Sequence, residues 1–184
     1  MSIEKPDSVF VLRNNDLGDV LLTTPLLHGL RKAFPSSKIS IGVGDWAKEL
    51  LQNNPDVDQV HCVNAPWHNK QNCRYPANSP RTFLEGMLYV LLSKEVRKLR
   101  EKAFSHGIDV LGSRQGSWLL LRAGIPSRYG VRGYAGGHDW CKGFVEFKEE
   151  RKVSQAALEF LTLLDAESTV EPRPKIFLSA EEIE

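Results

Sequence analysis

The sequence predicts an α/β domain built on a mostly parallel sheet with helices on both faces, and three observations carry this. Short β-branched, apolar runs alternate along the chain with segments whose apolar residues recur at three-to-four spacing. Polar stretches and Gly- or Pro-containing turns separate them. The 184 residues are 41% hydrophobic and 26% charged, enough for one core of ordinary size.

The elements follow in order. Ser8 to Arg13 is an apolar run between Pro6-Asp7 and Asn14-Asn15-Asp16 and reads as a buried strand. Asp19 to Phe34 carries an apolar stripe through Val20, Leu27, Leu30 and Phe34 and reads as one helix, ended by Pro35. Lys38–Val43 reads as the second strand, Trp46 to Gln52 as a short helix, and Gln59 to Val63 as the third strand. The polar stretch from Asn64 to Pro80 is long for a connection in a compact domain, and such loops are usually functional. Arg81 to His106 reads as one long helix capped by Gly107, with Phe83, Met87, Val90, Leu91, Val96 and Leu99 turned inward. Ile108 to Leu111, Arg128 to Val131 and Gly143 to Phe147 are further strands, and Ser117 to Ala123 and Lys152 to Leu164 further helices. Strands alternating with helices predict βαβ crossovers and a sheet covered on both sides.

Near the end, Pro172-Arg173-Pro174 reads as a linker, Lys175 to Leu178 as a short strand, and Ser179 to Glu182 as a capping box that announces a helix. The expectation is one domain over residues 1–170, with 171–184 as the linker and truncated start of a second domain.

A formal charge of +1 gives no reason to expect a nucleic-acid partner. Three widely separated cysteines, Cys62, Cys73 and Cys141, suit free thiols in a reducing compartment. The polar N-terminus lacks a signal peptide's apolar stretch, and no run approaches the roughly 18 apolar residues of a membrane span. A cytoplasmic protein is expected, with peripheral contact at the inner face of the membrane as a further expectation. The basic run Lys94 to Lys102 reads first as a solvated helix face, because its apolar neighbours look needed for the core. An anionic membrane surface is the other reading.

Ligands of open parallel sheets bind beyond the carboxyl ends of the strands. The loop Asn14, Asn15, Asp16, Leu17, Gly18, Asp19 leaves the first strand at that edge. Gly18 permits a tight turn or a close backbone approach. The start of the following helix favours negative charge, so Asp19 there can take a proton from an attacking hydroxyl. Asp19 at a helix start also fits an N-cap, and the two roles are compatible. There is no G-x-x-x-x-G-K-[ST] loop, Gly42-Val43-Gly44 lacks the third glycine of a dinucleotide fingerprint, and His61, Cys62, His68 and Cys73 lack zinc-ligand spacing. No metal and no cofactor are expected. Acidic residues after the first strand would also suit a signalling receiver domain, a reading that lacks any other acyl-phosphate feature.

The string Leu17-Gly18-Asp19-Val20-Leu21-Leu22-Thr23-Thr24-Pro25-Leu26-Leu27 resembles family 9 glycosyltransferases, the ADP-heptose:lipopolysaccharide heptosyltransferases and their relatives. Three further stretches agree in order and spacing: Leu30 to Pro35, Asn54 to Asp58, and Asp109 to Gly112 with Ala123 to Gly130. The resemblance implies the N-terminal half of a GT-B fold, a Rossmann-like domain that holds the acceptor, with inversion at the sugar and no metal. It implies Asp19 as general base, with Arg114 and Arg128 as candidates to hold an anionic acceptor; Asn15, Asp16 and Gly18 of the same loop are expected to take part in acceptor binding. The implied partners are a glycan or glycolipid acceptor and a nucleotide-sugar donor, ADP-heptose first, bound by a C-terminal donor domain in cis or in trans. The isolated chain is therefore expected to be inactive. Asp16 departs from the family, many of whose members carry a small hydroxyl residue there. A non-catalytic sugar- or phosphate-binding domain is the alternative.

Overall fold

A computed structural model describes residues 5–77, 79–167 and 169–178. Six strands form one parallel sheet: β1 (Ser8–Leu12), β2 (Lys38–Val43), β3 (Gln59–Cys62), β4 (His106–Asp109), β5 (Ser127–Arg132) and β6 (Gly143–Glu146). Their spatial order is β3-β2-β1-β4-β5-β6, with every pairing parallel. The helices are α1 (Leu17–Leu21), α2 (Thr24–Ala33), α3 (Pro80–Leu92), α4 (Lys94–Glu101), α5 (Arg114–Arg122) and α6 (Val153–Leu158).

The period of two along β1 divides the core. Val9 and Val11 join one cluster with Ile39, Ile41, Leu26, Leu30 and Phe160. Phe10 and Leu12 join the other with Val90, Leu99, Leu119 and Leu120. Both faces of the central strands are covered, which is why their sequences read as unbroken apolar runs. Strand order reverses between β1 and β4, so the loops leaving these two neighbours diverge and leave a crevice at their carboxyl ends.

Several elements differ from the sequence reading. The helix expected over Asp19–Phe34 is two, α1 and α2, because Pro25 cannot donate a backbone hydrogen bond. Threonine hydroxyls serve instead: Thr23 Oγ1 donates to the Asp19 carbonyl at 3.0 Å and Thr24 Oγ1 to that of Leu21 at 2.8 Å. The long helix after Pro80 breaks at Ser93, whose extended backbone ends α3 and whose Oγ accepts from Val96 N–H to cap α4. Gly107 lies inside β4 instead of capping a helix; a Cβ there would press on Ile125 and Leu120 at 3.0–3.2 Å. Phe83 and Leu91, expected inside, are exposed. Residues 45–51 form 3-10 turns, and α6 continues to Leu164 as a 3-10 helix, stopped at Asp165 with φ 54°. Lys175 to Leu178 forms no strand. The capping box at 179–182 lies outside the described residues.

All three cysteines are free thiols. Among the described residues no helix is long and apolar enough to cross a membrane.

Candidate active site

The crevice at the strand-order switch is an open cleft of ≈ 460 Å³, walled by Arg13, Asn15, Asp19, His68, Tyr134 and Lys148 among others. Arg13 directly follows β1, and Asp109 is the last residue of the neighbouring β4, in register with Leu12. Arg13 is 5% exposed, and its Nη2 donates to Asp19 Oδ1 at 2.8 Å. Asp19 is 36% exposed and reaches the cleft from the first turn of α1. It is not the N-cap, since that position belongs to Asp16, whose side chain caps nothing. The N-cap reading of Asp19 is therefore replaced by an ion pair with Arg13.

Asp109 stands behind this pair and is fully buried. Its Oδ2 accepts the Ser113 N–H at 2.9 Å, and Ser113 Oγ in turn accepts the Gly116 N–H to cap α5. Gly116 leaves room for the carboxyl group, since a Cβ would lie 2.2 Å from Oδ2. Burial pushes Asp109 up to about 7, against the backbone N–H groups of Ser113, Gly112 and Leu111 and the nearby Arg13 guanidinium. Burial also lowers Arg13 from its ordinary value, while Asp19 and Asp109 act in the opposite direction.

The loop after β1 is fastened to the long polar loop that precedes α3. Asn14 Nδ2 donates to the Trp67 carbonyl at 3.1 Å, and Asn15 Nδ2 to the His68 carbonyl at 2.7 Å. Asp16 Oδ1 accepts the Lys70 N–H at 3.0 Å. Asn69 Nδ2 returns the connection to the carbonyls of Asn14, Ala65 and Trp67. These bonds hold His68, at φ 52°, on the cleft wall with its ring 6.3 Å from that of Tyr134. Burial lowers the His68 pKa from its ordinary value.

The residues singled out in the sequence thus divide. Asn15 and Asp19 line the cleft, whereas the Asn15 and Asp16 side chains bind the neighbouring loop. Gly18 needs no special conformation, and a Cβ there would meet nothing within 4 Å, so a tight turn does not explain it. Arg114 opens α5 at the same sheet edge, with its Nε donating to Asp139 Oδ2 at 2.7 Å. Arg128 is not brought to this site. It is the second residue of β5, near the amino-terminal edge, where its guanidinium donates to the carbonyls of Ile125, Pro126 and Trp140. The sequence reading included Arg13 in the segment that runs to Asp19 without giving it a partner, and it gave no role to Asp109, Tyr134 or Lys148. For Arg13 and Asp109 the available signal was a charge at the end of an apolar strand. Among the described residues no group of three His, Cys, Asp or Glu could hold a metal.

The sheet order and covered faces define a Rossmann-like domain, the kind of unit of which a GT-B fold has two. Comparison with solved structures gives the same class. A family 9 glycosyl transferase from Veillonella parvula superposes with a TM-score of 0.72 at 21% identity, over 98% of this chain and 47% of that one. The E. coli heptosyltransferase WaaC with ADP gives 0.66 at 16% identity, over 88% and 48%. The E. coli ADP-heptose lipopolysaccharide heptosyltransferase II gives 0.65 at 18%, over 95% and 47%. The chain spans about half the length of each of these structures. No protein-family model and no curated protein matches the sequence.

Proposed function

We propose that this chain is the acceptor-binding, N-terminal half of a family 9 glycosyltransferase of the heptosyltransferase kind, with Asp19 as general base. The observation that carries the reading is Asp19 at the mouth of the switch-point cleft, oriented by the buried Arg13. In the proposed reaction an acceptor hydroxyl enters beside Asp19, and the free carboxylate oxygen takes its proton as the hydroxyl oxygen attacks the anomeric carbon. The bond to the nucleotide breaks on the opposite face, so the configuration inverts and the nucleoside diphosphate leaves. A second domain, in cis or in trans, presents the nucleotide sugar, ADP-heptose being the first candidate. Lys148 on the cleft wall, with Arg114 farther along the sheet edge, supplies positive charge for an anionic glycan or glycolipid acceptor. In this reading the chain works in the cytoplasm, peripheral to the inner face of the membrane. The domain boundary falls near residue 170 in this reading.

The ion pair also suits a second reading, a sugar- or phosphate-binding domain without catalysis, in which Asp19 only fixes Arg13. A two-domain protein carrying this chain beside a donor-binding half separates the two. Screened against nucleotide sugars by glycan mass spectrometry, it is expected to add one sugar to a lipopolysaccharide-type acceptor. Binding of the acceptor without transfer from any donor would favour the second reading.

A further inference from the structure

Helix α3 is turned inside out for a soluble protein. It buries its smaller residues, Thr82 and Gly86, together with Val90, while Gly86 lies over Trp67 and Gln115 so closely that a Cβ would meet them at 3.2 and 3.1 Å. Its large residues face outward: Phe83, Leu84, Leu88, Leu91 and Leu92 are 39–68% exposed. At 100° per residue they fall on one continuous arc of the helix, opposite the buried arc. A contiguous apolar surface of this kind marks a place of contact.

Charge identifies the occupant. The chain passes from Leu92 through Ser93 directly into α4, whose Lys94, Arg97, Lys98 and Arg100 are exposed. Glu95, the acidic residue in the first turn, is drawn inward by Tyr89 Oη, the Asn64 N–H and Cys62 Sγ, so its charge is withdrawn from that surface. At the other end of the stripe Arg81 is exposed, its guanidinium 5.4 Å from the Tyr75 ring centroid. An apolar stripe with cations at both ends is complementary to an anionic lipid surface, acyl chains under the leucines and headgroups beside the lysines and arginines.

We infer that α3 and the start of α4 form a membrane-docking face that inserts Phe83, Leu84, Leu88 and Leu91 into an anionic lipid surface. This deepens the transferase reading by placing the domain where a lipid-borne acceptor lies, but its test uses neither donor nor acceptor. A negative result here leaves the role of Asp19 untouched, and an inactive cleft leaves this face untouched.

The test is co-sedimentation of the 184-residue chain with phosphatidylcholine vesicles, with and without phosphatidylglycerol, run beside Leu88→Glu and the double change Lys94→Glu/Lys98→Glu. Far-UV circular dichroism controls for folding, which exposed positions should preserve. Partition onto the anionic vesicles is expected, reduced at least about tenfold by either variant and weakened by salt. Equal partition onto both vesicle types, no partition, or indifference to both variants overturns the proposal. A dimer in sizing chromatography that Leu88→Glu splits, without vesicle binding, overturns it in favour of a second copy of the chain.

Discussion

Arg13 and Asp19, six residues apart in sequence, meet at 2.8 Å where β1 gives way to α1. The guanidinium is buried and the carboxylate is partly open to the cleft, so the pair is anchored on one side and accessible on the other. Asp109 lies behind the guanidinium at the end of β4. The buried cation at the end of β1 is thus paired with the carboxylate in the cleft and lies near the carboxyl group that ends β4.

Removing that cation should cost stability. Arg13→Ala removes the buried half of the ion pair, leaves Asp19 without its partner and frees it from its orientation. A loss of about 2 kcal/mol is expected, below the value for a fully buried pair because Asp19 is partly solvated. Urea denaturation of the variant beside wild type measures it. A loss under about 0.5 kcal/mol would mean that Arg13 is only a passive wall residue.

Asp109 gives the fold a defined pH dependence. Its folded pKa, about 7, lies above the ordinary 3.8, so the folded state holds a proton that the unfolded state releases. The contribution is fully present below about pH 4 and is lost as pH rises towards 7. Asp109→Asn should remove this term, so the wild-type stability, measured relative to the variant by denaturant titration, should fall between about pH 4 and 7. A constant difference across that range would contradict the assignment.

His61 carries the opposite sign. It packs edge-on to Phe10 and Phe104, and burial, with Lys102 and Lys38 nearby, lowers its pKa to about 4. Its contribution is present above pH 6.5 and is lost as pH falls towards 4. The ring's NMR shifts should stay those of neutral imidazole at pH 5.5; a midpoint near 6.5 would show that the ring is solvated.

Gly116→Ala opposes helix propensity directly. Alanine in the first turn of a helix is normally stabilising by up to about 1 kcal/mol. Here its Cβ would overlap the Asp109 carboxyl group at 2.2 Å, with little room for either to move. A net loss of about 2 kcal/mol in thermal or urea unfolding is expected. Equal or higher stability would show that Asp109 can be displaced without penalty.

Periodicity placed the sheet well because the central strands are covered on both sides, leaving unbroken apolar runs bounded by polar loops. It failed where one local group decides the outcome. Nothing in an apolar stripe shows that Thr23 and Thr24 will take over carbonyls at Pro25, or that Ser93 will end one helix and cap the next. Phe83 and Leu91 were read inward because apolar residues at helical spacing usually are, whereas small Gly86 allows the other face to pack. In the site, Asp19 was legible from its place after the first strand. The partner of Arg13 and the presence of Asp109 were not, since the proximity of the two depends on β1 and β4 being neighbours. Arg128, a candidate for the acceptor, lies instead near the amino-terminal edge of the sheet, because position on a strand cannot be read from an arginine near a loop.

The central claim is that Asp19 takes the acceptor's proton. It is tested most directly by Asp19→Asn in a two-domain protein containing this chain, comparing single-turnover transfer with acceptor affinity. The account predicts transfer at least about a hundredfold slower, with acceptor affinity close to wild type and the fold retained by circular dichroism. Wild-type turnover in the variant would contradict it.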